Sequence, residues 1–298
     1  MSTVNRLALI GCGLMGGSFA RALRVACPAL QVAAYSRSLA SAQRAQVLGI
    51  ADEVFSTAAA AVRGADLVLL AVPVTATEPT LRDMRAGLSA DALVMDVGST
   101  KRDVVAAARA ALGTAVGQFL PAHPIAGKES GGIEQAEADL YQERRCILTP
   151  LPENPEGLVA RAVAAWEAVG CSVVRMSAEQ HDETFAAVSH LPHLLAFAYV
   201  NGVASQNAAA RHLALAGPGF RDFSRIAAGT SAIWRDIFSA NRDEVLAQLG
   251  QFESALTAMR AALQSGDDAA VARLVDAASA VRARWTLNGA PMPEDDPA

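Results

Sequence analysis

Five strand-forming residues, Arg6 to Ile10, run straight into Gly11-Cys12-Gly13-Leu14-Met15-Gly16, and this junction constrains the fold more than any other feature of the chain. A strand that turns at once into a helix needs a corner residue free of a side chain, which Gly11 supplies. Gly13 leaves the backbone open to whatever lies above the turn. Gly16 lets the helix predicted from Gly16 to Ala26 lie close on the strand. The first helical turn then offers unpaired N–H groups that a phosphate would satisfy. In isolation G-x-G-x-x-G is a weak signal. Between a strand and a helix, at the start of a βαβ unit, it marks a dinucleotide's phosphate turn. Gly11, Gly13, Leu14, Met15 and Gly16 are therefore candidate cofactor residues.

The same alternation continues for 170 or so residues. Apolar runs at Val32–Tyr35, Ala65–Val72, Leu93–Val97, Gln118–Ala122, Cys146–Leu148 and Ser172–Met176 read as further strands. Helical segments such as Asp103–Leu112 and Glu156–Val169 lie between them. That pattern predicts a mainly parallel sheet of the Rossmann type. After Met176 no strand signal returns. Ala178 to Val203 reads as one apolar helix interrupted at Pro192. Val245, Leu249, Phe252, Leu256, Met259 and Leu263 then recur at four/three spacing, a seam suited to a second helix. Gly266-Asp267-Asp268 ends that helix and caps the next. The expected fold is α/β, with a dinucleotide-binding domain over 1–176 and an all-helical domain for substrate and dimerisation over 177–298. The Pro-rich tail from Pro291 is expected to fray.

Apolar residues are 52% of the 298, enough for a large core. The net charge of −5 argues against nucleic acid or an anionic membrane as partner, because both need clustered cations. The N-terminus carries no secretory pattern and no apolar run spans a bilayer. Four scattered cysteines read as reduced thiols, which suits the cytoplasm.

The end of the second strand bears on the cofactor. A site for NAD usually has a carboxylate there, bonded to the ribose 2′-hydroxyl. This chain has Ser36-Arg37-Ser38 instead. Hydroxyl and guanidinium groups suit a 2′-phosphate, so NADP is favoured, with NAD as the alternative.

Two further segments carry chemistry. His123-Pro124-Ile125-Ala126-Gly127-Lys128-Glu129 follows the predicted strand Gln118–Ala122, so His123 is expected at the carboxyl edge of the sheet, where ligands bind. Gly219-Phe220-Arg221-Asp222-Phe223-Ser224-Arg225 sets arginines beside a glycine turn, which suits a carboxylate. His190 and His193 are spaced like metal ligands, but Pro192 intervenes and no third ligand is evident, so no metal is expected. His181 and His212 read as ordinary helix-surface residues.

Taken with Asp96-Val97-Gly98-Ser99-Thr100-Lys101, Ser189-His190-Leu191-Pro192-His193 and Trp234-Arg235-Asp236-Ile237, these motifs resemble the prephenate/arogenate dehydrogenase family over about positions 6 to 240. The resemblance implies oxidation of a cyclohexadienol carrying a ring carboxylate, with hydride transfer to NAD(P) and loss of CO2. It implies His123 as the acceptor of the substrate's hydroxyl proton, with Ser99 orienting that hydroxyl. Arg225 would bind a substrate carboxylate and His193 would approach from the helical domain. Lys128 and Glu129 are candidates for reading the substrate side chain. A homodimer is expected through the helical domain. Two other readings stay open: a hydroxyacid-dehydrogenase or imine-reductase type on similar architecture, and a non-catalytic NADP-binding sensor.

Overall fold

The computed structural model describes residues 4–128 and 130–287. Six short strands form one parallel sheet: β1 (Arg6–Ile10), β2 (Gln31–Tyr35), β3 (Glu53–Val54), β4 (Leu67–Leu70), β5 (Leu93–Asp96) and β6 (Phe119–Leu120). Their order is β3-β2-β1-β4-β5-β6, the doubly wound arrangement with its switch point between β1 and β4. The crossovers carry α1 (Leu14–Ala26), α2 (Leu39–Val47), α3 (Ala58–Ala61), α4 (Thr77–Met84) and α5 (Arg102–Leu112). The helix predicted from Gly16 thus begins at Leu14, and the two-residue β3 carries too little pattern to be read from sequence.

Both faces of this sheet are covered, which is why its strands read as continuous apolar runs. Leu7, Leu9, Leu67, Leu69, Leu93 and Met95 face one layer with Phe19 and Trp166. The alternate residues Ala8, Ile10, Val68, Leu70 and Val94 face Leu81, Val104 and Leu112 on the other side. On the first side Phe19, Tyr141 and Trp166 pack edge to face, with ring centroids 4.9 to 6.3 Å apart. Such pairs contribute roughly 0.5–1.5 kcal/mol each beyond their buried area.

The predicted strand Gln118–Ala122 divides. Pro121 has no N–H to give to a ladder, so β6 stops at Leu120. The chain then leaves the sheet as β7 (Ala122–Pro124), which pairs antiparallel with β8 (Arg145–Leu148); after α6 (Glu156–Ala168), β9 (Ser172–Arg175) pairs parallel with β8. A separate three-stranded sheet therefore stands where the sequence suggested a continuation of the first. His123 lies within β7 rather than in the loop after a strand.

Only helices follow among the described residues. α7 (Ala178–Phe185) starts with a capping box in which Ser177 and Gln180 bond each other's backbone. Ala186–His190 wind as one π turn and lead into α8 (Leu191–Ala204). The interruption expected at Pro192 is thus this π turn. Pro192 itself sits in the first turn of α8, where its missing N–H costs little. Then come α9 (Ala209–Ala214), α10 (Pro218–Ser224), α11 (Ser231–Ala240), α12 (Arg242–Ser265) and α13 (Asp268–Arg284). Gly266, left-handed at φ 66°, ends α12, and the Asp267 carboxylate caps α13 by accepting from Ala270 N–H at 2.8 Å. No helix among the described residues is long and apolar enough to cross a membrane.

Candidate active site

The glycine turn sits at the switch point. Gly11 has φ +103°, and a Cβ there would lie 2.2 Å from the Ala71 carbonyl oxygen at the end of β4. At Gly16 a Cβ would lie 2.6 Å from Leu9 Cδ1, so helix and strand touch only because it is glycine. Above Gly13 there is open space, and α1 has no side-chain cap. Open backbone and unpaired helix N–H groups together fit a pyrophosphate. Leu14 is buried, and the Met15 carbonyl accepts from Tyr141 Oη–H at 2.7 Å. Gly11 N–H donates to Tyr35 O at 2.8 Å, which ties the turn to Ser36 and Arg37 just beyond β2. Ser38 is engaged in capping α2 through Ser41 N–H.

His123 faces a chain of buried groups from the helical half. His123 Nδ1 lies 2.8 Å from His181 Nε2, and His181 Nδ1 lies 2.8 Å from Asp182 Oδ1. Asp182 also accepts Lys101 N–H at 2.8 Å and, on its other oxygen, Arg102 N–H at 2.9 Å and Nε–H at 3.3 Å. Burial alone would raise its pKa, but the bonds from His181, Arg102 and Lys101 hold it below the usual carboxylate value. Those bonds fix the order of protons. An ionised Asp182 only accepts, so His181 carries its proton on Nδ1. Burial lowers the His181 pKa and keeps the ring neutral, leaving Nε2 as an acceptor. His123 must then donate from Nδ1, and its Nε2 holds the free lone pair. Desolvation first, and then His181 and the Lys101 ammonium beside it, lower the His123 pKa well below 6.5, so that lone pair persists at neutral pH. Phe185 packs against both rings, at centroid distances of 4.9 and 4.6 Å.

Asp182 does a second thing. Lys101 and Arg102 open α5, and Lys101 gives that helix no side-chain cap. The cap comes instead from Asp182, across the domain boundary, where a carboxylate suits the positive end of the helix. Arg102 extends the junction to Asn241 Oδ1 at 3.1 Å and Glu244 at 3.1 Å.

Ser99 lies on the loop between β5 and α5. Asp96 pins that loop to β7: its carboxylate accepts Ala122 N–H at 2.9 Å, Gly98 N–H at 2.8 Å and the Lys101 ammonium at 2.6 Å. Lys101 and Asp96 are both almost wholly buried. Such a pair fixes geometry more than it adds stability.

The other predicted residues gather less uniformly. His193 Nδ1–H donates to Ser189 O at 2.9 Å, which leaves its Nε2 as an acceptor, and Trp234 stacks on its ring at 3.7 Å. Burial first, and then the charge of Arg225, lower the His193 pKa, so Arg225 and His193 are neighbours. Lys128 is ion-paired with Glu137. Glu129 lies outside the described residues, as does the tail from Pro291. His181 corrects the sequence reading outright: it is 0% exposed and bonded to His123. His181, Asp182, Asn241 and Arg102 were the residues missed. No sequence signal marks them: the π turn breaks a helical count back from His193 to Asp182, and Arg102 and Asn241 come from other elements.

All four cysteines are free, and burial pushes the Cys12 and Cys171 thiols up to about 11 and about 12. Burial raises the Cys146 thiol as well, so these three are protonated at neutral pH.

Two family models match successive parts of the chain: prephenate dehydrogenase, nucleotide-binding domain, over residues 19–175, and prephenate dehydrogenase, dimerization domain, over residues 177–277. The chain is 35% identical over 269 residues to a cyclohexadienyl dehydrogenase of Zymomonas mobilis, covering 90% of this chain and 91% of that protein. It is 31% identical over 265 residues to a prephenate dehydrogenase of Bacillus subtilis, covering 88% and 71%. The crystal structure of prephenate dehydrogenase from A. aeolicus, in complex with hydroxyphenyl propionate and NAD+, superposes with a TM-score of 0.87 at 32% identity, over 95% of this chain and 98% of that one.

Proposed function

The chain belongs to the prephenate dehydrogenase family, and from that premise we propose that it oxidatively decarboxylates prephenate, arogenate or both, giving 4-hydroxyphenylpyruvate or L-tyrosine, with hydride transfer to NAD(P). One observation carries the reading: His123 Nε2 is left as a neutral acceptor by a buried chain that ends in Asp182. As hydride leaves C4 of the ring, this nitrogen takes the hydroxyl proton. The ring carboxylate departs as CO2, its bonding pair aromatises the ring, and His123 returns the proton to the phenol oxygen. A dinucleotide bound on the glycine turn supplies the hydride acceptor. Ser99 orients the hydroxyl beside His123. Arg225 and His193 hold the substrate from the helical side, so the site lies between domains 1–176 and 177–298. A sensor would have no use for three buried groups that fix one tautomer.

The finer assignments rest on separate features. Ser36 and Arg37, with no carboxylate after β2, support a preference for NADP. Ser36→Asp is expected to reverse it in kcat/KM, and a wild-type preference for NAD would reject it. Substrate choice we assign to Glu129: Glu129→Gln is expected to cut kcat/KM for arogenate tens-fold and spare prephenate. Equal losses would reject that assignment. A homodimer is supported by the seam residues Leu256 and Leu263, together with Leu274, Val281 and Trp285, all of which the single chain leaves exposed. Light scattering showing a 30.9 kDa particle at micromolar concentration would reject it. Unpaired cysteines support a cytoplasmic location. The primary test is absorbance near 340 nm with NADP or NAD and prephenate, arogenate or simple 3-hydroxy acids. Turnover of the hydroxy acids alone, or of none, would overturn the reading.

A further inference from the structure

His190 closes the π turn, is 1% exposed, and plays no part in the proton chain through His181. Its tautomer is set by a neighbour. Asn241 Oδ1 accepts from Arg102, which turns the amide so that Nδ2 faces the Asp182 carbonyl at 2.7 Å and His190 Nδ1 at 3.1 Å. An amide nitrogen only donates, so His190 Nδ1 is the acceptor and the ring proton sits on Nε2. Burial depresses the His190 pKa to about 4, so the ring stays neutral and this tautomer persists. Nε2 is fully buried and has no hydrogen-bond partner. Buried donors are rarely kept unpaired without a use.

The group beside this ring is the Ser99 main chain, whose influence favours the protonated imidazole and so marks its carbonyl. The contact falls short of hydrogen-bond geometry. Ser99 lies between two pins, Gly98 N–H on Asp96 and Lys101 N–H on Asp182. We propose that His190 is a positioning residue whose Nε2–H holds the Ser99 loop against the catalytic strand, so that it acts on the reaction through Ser99. The proposal rests on the dehydrogenase reading above.

The test compares His190→Gln, which restores a donor near the Nε2 position, with His190→Asn, which offers polar atoms only near Nδ1. Gln is expected to stay within about threefold of wild type in kcat, and Asn to fall about tenfold, the usual worth of one hydrogen bond, with KM for the dinucleotide unchanged. The acid limb of kcat/KM should not move, because the His123 proton chain is intact. In a double-mutant cycle, His190→Asn should add no more than about twofold to the loss from Ser99→Ala. Equal losses for Gln and Asn, multiplying losses in the cycle, or a shifted acid limb would each overturn the proposal. Nitrogen-15 spectra of labelled wild-type protein, assigned by difference from His190→Gln, should show the proton on Nε2; a proton on Nδ1 overturns it without any assay of turnover. Wild-type protein inert toward both substrates would overturn the dehydrogenase reading instead.

Discussion

Replacing Asp182 by Asn exchanges one oxygen for an NH2 group and tests the two roles of this side chain. Asn can accept on one atom only. If its oxygen stays on His181 Nδ1–H and Lys101 N–H, its NH2 faces Arg102 N–H and Nε–H, donor against donor. Two charge-assisted bonds are then lost at a buried helix start, at roughly 1.5–3 kcal/mol each before relaxation. If the amide flips, its NH2 meets His181 Nδ1, the proton order reverses down the chain, and His123 presents Nε2–H to the substrate instead of a lone pair. A reversed tautomer at an aspartate–histidine pair costs about 10⁴ in the triad precedent, and a positioned base is worth about 10²–10⁴. The flip leaves only Lys101 N–H facing a donor and is the cheaper orientation, so we expect kcat to fall 10²–10⁴-fold and stability to fall by about 1.5–3 kcal/mol, or about 3–12 °C in Tm for a chain of this size. Turnover at 340 nm is measured well below the variant's Tm, with dinucleotide binding checked by fluorescence so that unfolding is not mistaken for lost chemistry. A folded variant with kcat within threefold of wild type would refute the proton-order argument. An unchanged Tm would refute the capping argument.

Acid should weaken the protein through its buried histidines. His123, His181, His190 and His193 all have pKa values lowered by burial, so the unfolded chain takes up protons first. The resulting stability is complete above about pH 6.5 and is lost as pH falls toward the folded values; for His190, near 4, it amounts to about 3 kcal/mol. Calorimetric Tm should therefore drop steeply between pH 6.5 and 4, and a flat profile there would contradict neutral burial. His123→Asn should keep dinucleotide affinity while kcat falls roughly 10²–10⁴-fold; near-normal turnover would remove its assignment as base. Gly11→Ala forces a Cβ into the Ala71 carbonyl at positive φ. It should cost more than about 2 kcal/mol and abolish dinucleotide binding by titration calorimetry, whereas retained affinity would mean the turn is not the phosphate site.

Local signals carried much of this architecture. The glycine junction, the buried parallel strands and the helix break at Gly266 each depend on neighbours in sequence, and each was readable there. Pro121 was readable as well, but its effect was not, because diverting the chain into a second sheet depends on β8 and β9 arriving from residues 145–175. The site divides similarly. His123, Ser99 and His193 belong to recognisable motifs. His181 looked like a surface residue because its partner lies 58 positions away and because the π turn adds a residue to the helix. One extra residue is about 100° of rotation, so α7 and α8 present different faces for the same sequence spacing. Arg102 and Asn241 meet only through the packing of α5 on the helical half.

That packing has a consequence for turnover. Asp182 belongs to one domain, but two of its hydrogen bonds are to the backbone of the other, where they cap α5. Any separation of the domains wide enough to admit substrate or release product must break the cap and the histidine chain together. On the reading of His123 as the base, such a separation would also release the tautomer that His181 and Asp182 fix. Docking and proton acceptance would then form an interlock, since the same carboxylate holds the helix start and the histidine pair.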